Sequence, residues 1–294
     1  MPAAEIKSTI KIALVGDVHD QWSPIEADLL RGLGVDLVLF VGDFGNEAVK
    51  LVEQIAQLDL PKAIMFGNHD AWFSATHFGK QHCPYDRKTE DWVQRQIDAV
   101  GADFVGYGAK DFPALGVTVV GARPFSWGGP EWKNKSFYRE RFGLQGFEES
   151  ADRIMAAVAG AGTNHLIFIG HNGPAGLGSE AESPCGKDWG DVAGDYGDPD
   201  FALVLKRCQD LGKSVPLVGF GHMHHGLRHR KDVQRQSIAV QAQTVYLNAA
   251  AVPRMVRIGD EMRFNYSIAT LVDGVVTEVA LTWVSDRGGW SIGW

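Results

Sequence analysis

The sequence predicts an α/β fold with buried, largely parallel strands, and three observations predict it. Five short apolar runs each end in a cluster of Gly, Asp, Asn and His. The stretches between them have helical spacing. The last part of the chain changes to long strand-like segments joined by a turn. Runs this short, continuously apolar and bounded by glycine suit strands covered on both faces.

The first run, Ile10 to Val15, leads into Gly16–Asp20, and Asp36 to Val41 leads into Gly42–Glu47. Between them, Pro24 to Leu33 has helical spacing, and the whole segment has the length of a βαβ unit of about 30 residues. Glu47 to Leu58 repeats the pattern before Lys62–Phe66, which ends in Gly67–Asp70. His165–Ile169 ends in Gly170–Gly173, and Pro216–Phe220 in Gly221–His225. Thr89–Val100, Glu148–Ala159 and Asp200–Leu211 are further helix candidates. From Thr244 to Val284, the segments Tyr246–Val252, Met262–Val272 and Gly274–Val284 read as an antiparallel closing sheet with a turn at Asp273-Gly274. Ala71–Asp86 and Gly173–Pro199 read as long loops, which in compact domains are usually functional. No repeat or linker interrupts the chain, so residues 1–294 are expected to form a single domain.

Composition narrows the function. The chain has 294 residues, is 45% hydrophobic and carries a net charge of −8. That sign is wrong for a protein that coats duplex nucleic acid or an anionic membrane. No segment reaches the roughly 20 apolar residues of a spanning helix, and the apolar start is too short for a signal peptide. Three dispersed cysteines, Cys83, Cys185 and Cys208, read as reduced thiols. A cytoplasmic location is therefore expected.

In open α/β sheets, ligands bind beyond the carboxyl ends of the strands. The five clusters would there bring together Asp17, His19, Asp43, Asn68, His69, Asp70, His171, His222 and His224. In Asp17-Val18-His19 and His222-Met223-His224 the outer residues of each triplet point the same way on an extended segment. Carboxylate, amide oxygen and imidazole without thiolate suit Mn, Fe or Zn. The donors are too many for one ion and about enough for two, and Asp43 could bridge them. Two divalent ions against two carboxylates would attract a phosphate ester, and a bound water would become hydroxide near neutral pH and attack phosphorus. His69 is the candidate acid for the leaving oxygen, with Asp70 to orient it.

These motifs, DxH, GD, GNHD, a lone His and GHxH in that order after strands, resemble the calcineurin-like metallophosphoesterases; Gly16–Trp22 and Gly42–Glu47 together resemble most a branch found in cyanobacteria and plants. The resemblance implies a four-layer αββα sandwich with a dinuclear site at the strand ends. It implies Asp17, His19, Asp43 and His224 as ligands of one metal, Asp43, Asn68, His171 and His222 as ligands of the other, and His69 as the acid. The chain departs from the pattern at Asp20, where glycine is usual, and at Asn46, where an acid is common. The Asp-Arg pair of Ser/Thr protein phosphatases is missing. The expected activity is hydrolysis of a small phosphate ester. A nuclease or cyclic-nucleotide phosphodiesterase is the alternative within enzymes, and a catalytically silent binding scaffold the alternative outside them.

Arg123, Trp127, Lys187, Trp189 and His225 are candidate substrate contacts, each weighed against an ordinary packing role. His77, His82, His165 and His229 read as structural, and Arg228–Lys231 as a solvated hairpin.

Overall fold

Alternating burial along the strands sets the layers. The computed structural model describes residues 7–293. The chain runs β1 (Thr9–Val15), α1 (Glu26–Gly32), β2 (Leu37–Phe40), α2 (Val49–Ala56), β3 (Lys62–Ile64), α3 (Trp72–Ala75), α4 (His77–Gln81) and α5 (Trp92–Val100). It continues through β4 (Ala109–Phe112), β5 (Val117–Gly121), α6 (Lys135–Phe142), α7 (Phe147–Ala159), β6 (His165–Ile169), α8 (Pro199–Asp210) and β7 (Ser214–Phe220). It closes with β8 (Ile238–Gln241), β9 (Thr244–Asn248), β10 (Met255–Ile258), β11 (Glu261–Val272), β12 (Val275–Ser285) and β13 (Trp290–Gly293).

Two sheets result. One has the order β13-β12-β11-β1-β2-β3, with β10 on β11; the other has the order β4-β5-β6-β7-β9-β8. Side chains two apart on a strand share a face. On β1, Ile10, Ile12 and Leu14 therefore point inward against Ile167, Ile169 and Leu217 of the other sheet. Ala13 and Val15 point outward, in the cluster that holds Leu30 of α1 and Val52 and Ile55 of α2. On the second sheet Val120, Phe168 and Val218 belong to the outer cluster with Ile154, Val158 and Val204 of α7 and α8. The layers are thus helix, sheet, sheet, helix, the α/β sandwich expected from the motifs. Each fully buried Val, Leu or Ile contributes roughly 1.5–3 kcal/mol.

The Asp273-Gly274 turn is present, with both residues at positive φ (50° and 78°) and Val272 paired to Val275 across it. Two expectations are corrected. The Tyr246–Val252 segment does not join the closing antiparallel sheet: β9 lies parallel to β7 in the other sheet, and strand structure stops at Asn248. Ala71–Asp86 is not simply a loop, because it holds α3 and α4, the latter capped by Thr76 Oγ1 on the N–H of Gly79 at 2.8 Å. No helix among the described residues is long and apolar enough to cross a membrane.

Candidate metal centre

The turns after β1, β2, β3, β6 and β7 meet at one end of the two sheets. They are held in unusual backbone: Asp17, His19, Asp43 and His222 all have positive φ, between 44° and 66°. Such conformations are costly for non-glycine residues and concentrate at functional sites. Glycine precedes the donors because nothing larger fits. A Cβ on Gly67 would lie 2.3 Å from Asp43 Oδ1, and one on Gly221 would lie 2.3 Å from Asp17 Oδ2.

The structure brings Asp17, His19, Asp43, Asn68, His171, His222 and His224 together as overlapping groups. Donor atoms of Asp17, His19 and His224 lie within 4.8 Å of one another, as do those of Asp43, His171 and His222. Asp43 faces both groups. Its Oδ1 is 3.2 Å from His171 Nε2 and its Oδ2 is 3.9 Å from His19 Nε2. Asn68 Oδ1 lies 2.9 Å from the same His171 nitrogen. The other nitrogen of His171, Nδ1, donates to Val41 O at 2.8 Å. This outer hydrogen bond orients the ring with Nε2 toward the cluster.

A cation fits these residues. Asp17 Oδ1 is buried and has no hydrogen-bond partner. It lies 3.2 Å from His224 Nε2 and 3.8 Å from His19 Nε2, and those two ring nitrogens are 3.3 Å apart. Three donor atoms thus converge on one point, where the two ring nitrogens bond each other and Asp17 Oδ1 is left unpartnered. The donors are oxygen and imidazole nitrogen throughout, which suits hard to borderline ions.

Without an ion, the cluster balances its charge with protons. Burial opposes the charged form of His171, but the Asp43 carboxylate outweighs it and the imidazole is raised to about 9. Burial likewise works against ionised Asp43 and Asp17. His171 nevertheless holds Asp43 far below the carboxylate range, and His224 holds Asp17 below it. His222, buried beside charged His171, is pushed down to about 3.

His69 lies beside this cluster, with a ring nitrogen grouped with His19 and Asp43. Its Nδ1 pairs with Asn46 Oδ1 at 2.6 Å, and its ring stacks on Trp72 at 4.9 Å and 16°. Burial holds it below its ordinary pKa. The expected role of Asp70 is corrected here. Its carboxylate is fully buried and accepts backbone N–H groups of Asp43, Phe44 and Gly67 at 2.7–2.9 Å. It braces the two motif turns against each other, and Asn46 orients the His69 ring instead.

A cavity of about 440 Å³ opens over the cluster, lined by Trp72, Trp127, Trp189 and Tyr196 with Lys133 and Arg228. Trp127 and Trp189 line this cavity. Three other candidates do not. Arg123 is 3% exposed, paired with Asp198 (2.7 Å) and Asp200 (2.9 Å) and stacked over Trp132, so its charge is consumed in the core. His225 is buried, with Nε2 hydrogen-bonded to Asn248 O at 3.0 Å. Lys187 lines a smaller adjoining cavity of about 210 Å³. Trp72, Lys133, Tyr196 and Arg228 were not expected. A Trp three residues after a motif His, or a Lys in a Gly/Trp-rich loop, carries no local sign of facing a site.

Solved structures similar to this chain share little sequence with it. GAP50, the anchor in the inner membrane complex of Plasmodium, is 11% identical over 96% of this chain and 87% of its own, with a TM-score of 0.47. A dimetal phosphatase from Danio rerio is 12% identical over 96% and 98%, with a TM-score of 0.46. PhoD is 9% identical over 99% and 69%, with a TM-score of 0.50. No curated protein sequence matches. The family profile described as calcineurin-like phosphoesterase matches residues 10–226, which span every motif at the site. The chain belongs to the calcineurin-like phosphoesterase family.

Proposed function

We propose that the chain, acting as one domain, is a dinuclear-metal hydrolase of small phosphate esters. Asp17, His19, Asp43 and His224 would hold one ion, and Asp43, Asn68, His171 and His222 the other, with Mn, Fe or Zn suited to the donors. Such ions supply Lewis acidity toward phosphoryl oxygens and lower the pKa of water at the centre. The chain's own contribution is positional. His69 Nδ1–H donates a hydrogen bond to Asn46 Oδ1, which leaves a protonated Nε2 to give its proton to the leaving oxygen as the P–O bond breaks. Asp70 fixes the turns that carry Asp43 and His69. The small ester enters through the cavity over the cluster.

The observation that carries this reading is Asp43, whose two oxygens face two separate donor groups. The test is hydrolysis by protein reconstituted with Mn, Fe or Zn, on a panel of phosphomonoesters and phosphodiesters. The expected result is turnover that requires metal and stops with a chelator. Two bound metals with no turnover on any ester would overturn the enzymatic reading in favour of a binding scaffold.

A further inference from the structure

The aromatic lining of the cavity is continuous with the acid. His69 stacks on Trp72 at 4.9 Å, and Trp72 meets Trp127 at 5.5 Å with 32° between the rings. Trp189 and Tyr196, from the Gly173–Pro199 loop, form an edge-to-face pair at 4.7 Å and line the same cavity. These rings are half-buried. Trp132 makes the contrast. It is 8% exposed and does not line the cavity.

The loop side is built to hold its shape. The Tyr196 ring lies against Gly129, where a Cβ would come within 2.8 Å of it, and Tyr196 O accepts from Gly129 N at 2.7 Å and Asn172 Nδ2 at 2.9 Å. Cations lie on the outer rings: Arg228 over Trp189 at 5.3 Å, and Lys133 over Tyr196 at 4.4 Å. Arg228 is exposed and Lys133 half-buried, so their charge is available to a ligand.

We infer that the leaving group of the ester is a planar, aromatic-ring-bearing alcohol of the nucleoside type, whose ring lies on the Trp72–Trp127 and Trp189–Tyr196 surfaces. The inference rests on the phosphoesterase reading and names its substrate class. Its logic is positional. The acid protonates the leaving oxygen, so whatever that oxygen carries emerges beside His69, and the next surfaces there are Trp72 and Trp127. A flat ring gains from stacking on these faces, and ring nitrogens or carbonyls accept from Lys133 or Arg228. A short alkyl group would leave these faces wet.

Adenosine 5′-monophosphate and ribose 5-phosphate test this, because both release a primary alcohol and differ chiefly in the base. Base–aromatic stacking of the usual strength predicts that the metal-loaded protein prefers the nucleotide by roughly 5- to 150-fold in kcat/KM. Trp127→Ala and Trp189→Ala should each move that ratio toward one. Trp127→Phe and Trp189→Phe, which keep a stacking face and guard against misfolding, should retain most of it. Adenosine, which is not hydrolysed, should saturably quench tryptophan fluorescence of the metal-loaded protein where ribose does not.

Equal kcat/KM for the two esters, or turnover of other esters with neither probe hydrolysed and no adenosine quenching, would overturn the inference and leave the phosphoesterase reading standing. No turnover of any ester would overturn that reading, and the adenosine measurement would then decide alone whether the aromatic surface binds such a ring.

Discussion

The donor cluster has a deep half and a shallow half that share Asp43 and each add two imidazoles, with Asn68 in the deep half where the shallow one has Asp17. The side chains of His171 and Asp43 are 0% and 3% exposed, whereas those of His224 and His19 are 40% and 26% exposed. The deep half is also tied outward, through His171 Nδ1 to Val41 O. Among the described residues, His19 and His224 make no such bond and face each other. Besides the exchange of Asn68 for Asp17, the halves differ in solvent and support. A desolvated, pre-oriented set binds an ion more tightly and releases it more slowly than a wet one. The deep half should behave as the resident site and the shallow half as the exchanging one.

The largest expected effect comes from the residue the halves share. Asp43→Asn should drop metal content from two ions per chain to near none, while Asp17→Asn should lose chiefly the shallow ion. Elemental analysis distinguishes these, and two retained ions in Asp43→Asn would break the bridging assignment. A graded chelator titration of the unsubstituted protein sharpens the same contrast. Metal content should pause near one ion per chain before falling to zero, and simultaneous loss would show the halves to be equivalent.

Protonation gives a third, smaller contrast. In the metal-free protein, Asp43 overcomes the burial of His171 and raises it from 6.5 to about 9. A group with a raised native pKa stabilises the fold below its unfolded value and loses that contribution as pH rises through the native one. The metal-free protein should therefore lose thermal stability between about pH 6.5 and 9, and His171→Gln should remove that part of the decline. Near pH 8, metal uptake should release a proton from His171, visible as a buffer-dependent heat. Heats independent of buffer would contradict it.

The smallest effect is expected at Asn46, which acts on His69 through one hydrogen bond. Asn46→Ala should slow esters with poor leaving groups by roughly 2- to 13-fold, the worth of one such bond, with metal content unchanged. An equal loss for good leaving groups would assign Asn46 a purely structural part.

Much of the deep machinery was legible in the sequence, because buried strands that end in glycine, carboxylate and imidazole announce both sheet and site. The four layers came from the family resemblance of the motifs and not from the runs themselves. Other features lacked a local signature. On β4, Ala109, Lys110 and Asp111 are exposed or half-buried and only Phe112 is buried, so no apolar run marks the strand. α3 and α4 have four and five residues, too short for helical periodicity to emerge. Arg123 read as a candidate substrate contact because its partners, Asp198 and Asp200, lie some 75 residues away and only the fold brings them near. Asp70 sat beside a candidate acid in sequence, yet the short helical turn at His69–Ala71 aims its carboxylate into the backbone of the turn after β2 and of its own turn. The aromatic wall combines Trp72, Trp127, Trp189 and Tyr196 from three separate segments, a juxtaposition that no single stretch encodes.

The central claim, metal-dependent ester hydrolysis with His69 as the acid, is tested most directly by His69→Ala loaded with metal and assayed on paired esters. Alkyl phosphates, whose leaving oxygen needs a proton, should slow by about 10²–10⁴-fold. Nitrophenyl phosphate, whose leaving group departs as an anion, should slow far less, with both ions retained. Equal losses on both esters with metal content intact would contradict the account.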